Sequence, residues 1–570
     1  MDYSSIMKEL LNPSSHPGRS GKDLSHRKVF TAKAGELLPI ICEEMVPNDY
    51  FEIDTATLVR SFPLQTAAFL RARVHFDFFF VPKTAIWRNW NRFYYQRDDR
   101  QTALMNGFAY EPNLTLEDIA HLRDCGTSSS QVIDSPDSRN KILQLLGYGN
   151  YRGLTVADFQ TGGQFATIGQ KSLTALPLVG YNRIYNMWYR NAWRDEPNAI
   201  AAQTYSLDKW DCTSYSSSLG NYNIPSGAGN VEDYFLKMHY HGWFSDLFMG
   251  SLPSQQFGAV SSIDINGKVS PTASATDWSY LFATPNGTVY SQGVVSNTSP
   301  VSQISPINSV SSFGNFDVLA LRKALALQKW KEYNMRAGWK NKNQARAMFG
   351  VSTPDDRPHD VEFIKGYDFP FMIDEVVSQN GATGGNLADL AGKGIGVGNG
   401  EKLKFNSGER HGYLYCICYI MPQAEYDANM IDKSLVRSEP FDHFVPAFEN
   451  LGMEAISKFE LNARGNAGVF NNVLGYAPRY HEYKQKLDKV YGEFMVGNTL
   501  ASWVSVRRDL AGIANSGVIP TQYFYVNPSC LDTIFAQTAS GSQTTDQFML
   551  NVNFNFKAVR PMSDLGLPTL

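Results

Sequence analysis

The chain predicts a mainly β protein, an antiparallel β-sandwich carrying long insertions, and two segments more than 460 residues apart carry that prediction. In residues 70–81 one face reads Leu70, Ala72, Val74, Phe76, Phe78 and Phe80, and the other Arg71, Arg73, His75 and Asp77 before Phe79 and Val81. In residues 548–559 one face reads Phe548, Leu550, Val552, Phe554, Phe556 and Ala558, and the other Met549, Asn551, Asn553, Asn555 and Lys557. Successive side chains of a strand point to opposite sides, so both segments read as half-buried strands on an apolar core. If they serve one core, everything between them is more of that sheet or an excursion from it.

In chain order, residues 1–35 are polar and mildly basic, with Pro13, Pro17, Gly18 and Gly21 beside Arg19, Lys22, Arg27 and Lys28. They read as an extended arm, ordered by a partner if at all. Residues 36–570 read as one domain with insertions. Pro82 ends the 70–81 strand because it has no N–H to donate. Residues 87–97 then interleave Trp87, Trp90, Phe93, Tyr94 and Tyr95 with Arg88, Arg92 and Arg97. A helix is expected where Tyr181, Ile184, Trp188 and Ala192 recur at helical spacing between Pro177 and Pro197. Residues 234–257 are apolar and aromatic throughout and read as tightly packed.

Composition shifts at Ala259. From there to residue 316 only Asp264, Lys268 and Asp277 are charged, and Asn266-Gly267 and Asn286-Gly287 are hairpin turn signals. Residues 259–316 therefore read as a surface protrusion with some β structure. Asn315 is placed to cap a helix carrying Val318, Leu321, Ala324, Leu325 and Gln328 on one side, and Arg336, Lys340, Lys342 and Arg346 continue from it. Residues 381–400 are Gly-rich and read as a mobile loop. An apolar strand is expected over residues 413–421.

The 43% apolar and 13% aromatic content supplies a large core, while 19% charged residues is low for so long a chain and points to surface buried against partners. A net charge of −4 gives the whole chain no electrostatic reason to seek nucleic acid, so any such contact is local. The six cysteines (42, 125, 212, 416, 418 and 530) show no CxxC, and reduced structural thiols are expected. Residues 1–11 include Asp2, Lys8 and Glu9, so no secretory signal is expected at this start, and no run of about 18 apolar residues suggests a membrane span.

Signals for catalysis are weak. His239 and His241 could share one strand face as metal ligands do, but no third ligand stands at a recognisable spacing, so packing is the preferred reading. The alternating glycines 392 to 400 lack the strand and helix that flank a nucleotide loop. Asp355-Asp356 and Glu43-Glu44 are adjacent in sequence, which does not converge two carboxylates on a substrate. No catalytic, cofactor or metal residue is assigned, and the chain is not expected to be an enzyme. The rings and arginines of residues 87–97 suit single-stranded nucleic acid or, preferably, a neighbouring subunit. Arg19, Lys22, Arg27 and Lys28 are the candidate nucleic-acid contacts, with a neighbouring subunit the open alternative.

Several motifs resemble the major capsid protein of the microvirus family, the small icosahedral single-stranded DNA phages, especially its gokushovirus-like and gut-associated members. They are His75-Phe76-Asp77-Phe78-Phe79-Phe80-Val81-Pro82 with Trp87-Arg88-Asn89-Trp90, then Leu176-Pro177-Leu178-Val179-Gly180-Tyr181-Asn182-Arg183-Ile184-Tyr185-Asn186, and Ser251-Leu252-Pro253-Ser254-Gln255-Gln256. Leu321-Arg322-Lys323-Ala324, Ala347-Met348-Phe349-Gly350, Glu409-Arg410-His411-Gly412-Tyr413, Gly492-Glu493-Phe494 and Lys557-Ala558-Val559-Arg560-Pro561-Met562 follow in the family's order.

The resemblance implies an eight-stranded antiparallel jelly roll whose copies, 60 built from pentamers, close a T=1 shell around circular single-stranded DNA. It also implies a small basic DNA-packaging protein, a pilot or minor capsid protein, a host cell-surface receptor met by a protruding loop, and assembly in the bacterial cytoplasm. The alternative class is a secreted β-sandwich glycan-binding protein or glycosidase.

Overall fold

A computed structural model describes residues 18–87, 90–95, 113–117, 119–120, 136–159, 163–165, 168, 171–195, 236–258, 280–283, 289–292, 318–338, 341–350, 360–377, 390–463, 473–507, 510, 519, 521–535 and 546–562. Arg88, Arg97, Cys125, Cys212, Asp355, Asp356 and most of residues 259–316 lie outside that set. The chain divides into two compact units, one of residues 1–254 with 352–570 and one of residues 255–351.

The first unit is built on ten strands: β1 (Ser20–Asp23), β2 (His26–Ala32), β3 (Leu38–Met45), β4 (Tyr50–Ser61), β5 (Ala72–Pro82), β6 (Glu362–Val377), β7 (Leu390–Asn399), β8 (Leu403–Asn406), β9 (Gly412–Pro422) and β10 (Phe548–Arg560). They form one curled antiparallel sheet in the order β1-β10-β4-β7-β6-β5-β9-β3, with β2 also on β10 and β8 also on β4. β1 and β2 pair with β10 in a single continuous register, Ser20 opposite Arg560 through Ala32 opposite Phe548, so they share one edge position. Eight strand positions result, and the early and late strands lie side by side as a jelly roll requires.

β6 is the corner. Its first part pairs with β5 and its last six residues pair with β7, which separates a first sheet (β1/β2, β10, β4, β7) from a second (β3, β9, β5, β6). The inward side chains of both meet in one core, where Phe80 packs on Phe405 at 5.1 Å and Phe371 on Phe548 at 5.3 Å between ring centroids.

Two expectations change here. The basic arm is extended, but from Ser20 to Ala32 it is ordered by the chain's own β10, because every second side chain of β2 (His26, Lys28, Phe30, Ala32) turns inward. Within residues 381–400, the described glycines belong to a central strand and not to a mobile loop. A Cβ at Gly394 would sit 2.1 Å from the Phe371 ring, and one at Gly398 2.1 Å from Phe369. Those rings lie flat across the strand, so only hydrogen fits on its inner face.

The helix expected near Tyr181 is α2 (Leu176–Ile184), preceded by α1 (Pro136–Leu146), and it continues as a π-helical turn over Tyr185–Tyr189. The backbone turns extended at Arg190, two residues short of the expected Ala192. Of residues 234–257, expected to be tightly packed, Leu236, Met238, Tyr240, Trp243 and Phe248 are buried, while Phe244 and Phe257 are exposed.

In the second unit, α3 (Val318–Ala337) and α4 (Asn341–Phe349) occupy the expected helical stretch. Strands Tyr280–Ala283 and Val289–Gln292 pair as a hairpin around the Asn286-Gly287 signal.

Candidate interaction surfaces

The four basic candidates do not converge on one patch. Arg27 points to the outer face of the first sheet and donates from Nε to Asn551 Oδ1 at 2.6 Å. Lys28, one residue on, pairs with buried Val552 and points the other way. Burial pulls its ammonium below the ordinary lysine value, with the Glu43 carboxylate opposing. Lys22 stands opposite buried Ala558, also on the inward side. Arg19 is exposed at the strand's start and donates from Nη2 to the Asn48 carbonyl at 2.7 Å. There it joins Arg560, which lies 3.9 Å from Asp49 and stacks over Phe51. The period of two splits neighbouring basic residues between faces, so their clustering in sequence does not survive folding.

The outer face around Arg27 is polar and balanced in charge. Across it run Asn551 opposite Leu58, Asn553 opposite Ala56, Asn555 opposite Asp54 and Lys557 opposite Glu52. Val29 and Val397 are 65% and 69% exposed among these polar groups. Lys393 stands opposite Asp374 and Lys557 opposite Glu52, so this face offers amide hydrogen bonds and local cations, not a polycationic field.

The outer face of the second sheet is covered by the chain itself. Tyr415 donates to the Pro177 carbonyl at 2.8 Å, and Gly180 of α2 sits so close to that phenol that a Cβ would meet its oxygen at 2.3 Å. Phe79 packs on Trp188, Tyr189 and Phe363. Asp77 accepts from the Tyr189 and Tyr419 hydroxyls at 2.8 and 2.9 Å, and burial raises its carboxyl above the usual range. His239 is stacked on Tyr185 and bonded through Nε2 to Asn182 Oδ1 at 2.8 Å, while His241 stacks on Tyr419. Burial holds the His239 imidazole well below its ordinary value and takes His241 down to about 4. The two imidazoles are packing groups under the inserted layer.

Trp87 and Trp90 are likewise buried within the protomer, with the Lys83 ammonium 4.1 Å from the Trp90 ring centroid. The expectation that both rings face a partner is corrected, and among the described rings of this group the exposed Tyr94, set against His411, reaches the surface. What drew them inward is the short turn after Pro82, which folds the segment back onto the sheet end.

A cleft of about 950 Å³ opens at the other end of the second sheet, lined by Arg71, Arg73, Asp246, Asp374, Glu425 and Asp488 among apolar groups. Its two arginines are held in ion pairs: Arg71 bridges Glu425 and Asp488, both at 3.0 Å, and Arg73 pairs with Asp368, while Asp246 accepts from the Tyr426 hydroxyl. Between β9 and β10, short turns over Lys433–Leu435, Pro440–Asp442 and Pro446–Phe448 hold apolar side chains outward. Leu435 is 78% exposed, and Val436, Phe441, Phe444, Leu451, Tyr483 and Tyr491 are exposed around it. Such a concentration of apolar surface marks a contact area.

The capsid protein (F protein) family of phages matches residues 12–115 and 149–570. This chain belongs to the phage F capsid protein family. Three relatives are each named capsid protein VP1: that of Bdellovibrio phage phiMH2K is 24% identical over 98% of this chain and 96% of its own length. That of Chlamydia phage 1 is 23% identical over 99% and 98%, and that of Spiroplasma virus 4 is 21% identical over 97% and 96%.

As an F family member the chain is a structural component of a virion, a role that implies self-assembly. Sequence reading missed these turns because isolated Phe and Leu residues among Pro, Asp and Lys carry no period; only the repeated Pro spacing at 440 and 446 signalled rigid turns. No helix among the described residues is long and apolar enough to cross a membrane.

Proposed function

We propose that this chain is the major capsid protein of a small single-stranded DNA phage and that 60 copies, assembled from pentamers in the bacterial cytoplasm, close a T=1 shell around a circular genome. The observation that carries the reading is the family match along nearly the whole chain, over a jelly roll that is complete within one protomer and still exposes the apolar turns at Leu435, Phe441, Phe444 and Leu451. The chain has no catalytic role, a reading supported by its membership of a capsid family, whose role is structural.

For DNA, Arg27 is the foremost of the four candidates because it stands exposed beside Asn551 and Asn553, exposed Arg19 comes second, and the inward-pointing Lys22 and Lys28 are the weakest. Subunits of charge −4 do not neutralise a packaged genome, so a small basic protein supplies the counter-charge, and a pilot or minor capsid protein completes the particle. Residues 259–316, poor in charge and rich in Ser and Thr, suit attachment to a host-surface receptor.

The test is the solution mass of the expressed chain, alone and with its phage partners. Closed particles in the megadalton range support the proposal, and a monomer or small oligomer under both conditions overturns it.

A further inference from the structure

We propose that Glu454, His481 and Glu482 form a binding site for one divalent transition-metal ion of the zinc class, with Glu460 orienting the histidine. One ligand atom from each of the three residues lies within 4.8 Å of the other two. Glu454 stands on the strand Met453–Ser457, and His481 and Glu482 open the helical turn His481–Lys484 that follows the paired strand Val473–Pro478. Tyr480, in a left-handed conformation (φ 60°), delivers the turn, and its N–H donates to Glu454 Oε2 at 3.2 Å. A bulky residue adopts that conformation only where its surroundings impose it.

The histidine is built as a ligand. His481 is 2% exposed, and its Nε2 faces Glu460 Oε2 at 2.8 Å. Glu460 is itself buried and fixed, because its other oxygen accepts the Ser457 N–H at 2.9 Å. A carboxylate at Nε2 places the proton there and leaves a lone pair on Nδ1, the arrangement that second-shell carboxylates impose on metal-bound histidines. Nδ1 is buried and has no hydrogen-bond partner, and neither has the buried Oε2 of Glu482.

Charge and ligand type select the ion. Three carboxylates, Glu454, Glu460 and Glu482, gather near Lys433, which is bonded to Glu454, and Lys486, while Lys489 beside them is taken up by Asp432. A divalent cation offsets the negative charge that remains on the three carboxylates. One imidazole nitrogen with two carboxylate oxygens suits zinc, whereas calcium and magnesium prefer all-oxygen sets. A cavity of about 180 Å³ on the His481 and Glu482 side, lined also by Lys433, Glu460, Lys486 and Lys489, leaves room for a water as fourth ligand. The ion would tie the Met453–Ser457 strand to the turn carrying exposed Tyr483, bracing the apolar contact surface from beneath.

The experiment uses the full, tag-free chain stripped with chelator and dialysed against Zn²⁺, with bound metal measured by mass spectrometry and coordination read from the visible absorption of the Co²⁺ form. The expected result is about one equivalent of Zn²⁺ per chain, a Co²⁺ ligand-field band, and a melting temperature raised by Zn²⁺. Glu482→Gln, at a partly exposed position, should weaken binding at least about tenfold, and Glu460→Gln by roughly 10- to 100-fold without changing stoichiometry. His481→Gln should abolish the Co²⁺ band; if it does not fold, Glu482→Gln decides alone. Sub-stoichiometric metal in the wild-type chain, or unchanged affinity and spectrum in Glu482→Gln, would overturn the site.

Discussion

The two sheets of this sandwich have the same architecture and opposite outer faces. In the second, every residue of β9 is buried, because α2, the π-helical turn after it and residues 236–249 cover the outside. In the first, β10 alternates buried and exposed along most of its length, and its outer face ends in asparagines. An inserted layer has turned one half of the jelly roll into an interior sheet, while the other half keeps a face for something outside the protomer. Substitutions at outward positions of the two sheets should therefore differ sharply in cost.

The largest contrast is expected at Phe79, an outward residue of the second sheet held by Trp188, Tyr189 and Phe363. Phe79→Ala should cost about 3–5 kcal/mol in chemical denaturation, as a core deletion does, although the position is nominally on an outer face. A loss below about 1 kcal/mol would show that the inserted layer is loosely attached.

Acid should strike the same layer next. The folded state holds His241 at about 4, against about 6.5 when unfolded, so its neutral form is favoured by folding. That stability is fully present above the unfolded value and is lost as pH falls toward 4, on the order of 3 kcal/mol in urea titrations, with His239 acting in the same sense. Asp77, raised by burial, acts in the opposite sense and regains stability as it protonates. His241→Gln should flatten the pH dependence; an unchanged profile would locate the acid sensitivity elsewhere.

In β7 the contrast turns on a missing side chain. Gly398→Val should cost about 1–3 kcal/mol, because the new Cβ enters the Phe369 ring, and the melting temperature should drop accordingly. A neutral result would mean that the ring can rotate away. The smallest effect is expected at Asn553, an outward residue of the first sheet: Asn553→Ala should change stability by no more than about 0.5 kcal/mol while reducing DNA retention in assembled particles.

This difference between the sheets also explains what could be read in advance. β5 and β10 announced themselves through alternation, and β9 through an unbroken apolar run, since a strand buried on both faces has no polar side to show. β7 was hidden by its glycines, yet the signal was there: Gly392 to Gly400 alternate strictly with Lys393, Ile395, Val397 and Asn399, and the glycines form the buried face. The buried places of Trp87 and Trp90 could not be foreseen, because the same rings and arginines serve a core, a subunit contact or a base stack. The division of Arg27 from Lys28 could have been, since β2 alternates, but the polar composition of residues 1–35 masked a strand whose apolar face holds only His26, Phe30 and Ala32. Glu454, Glu460, His481 and Glu482 were invisible together, because folding brings two turns more than 20 residues apart into contact.

In one protomer the first sheet's outer face and the turns around Leu435, Phe441 and Phe444 stand open, while the second sheet is already closed. A high-resolution map of the particle formed by this chain is the decisive measurement. The expected map shows a closed shell in which Leu435, Phe441 and Phe444 are buried against neighbouring protomers and the Asn551-Asn553-Asn555 face meets nucleic acid or another subunit. A particle that leaves both surfaces in solvent, or subunit contacts made through a displaced α2 layer, would contradict it.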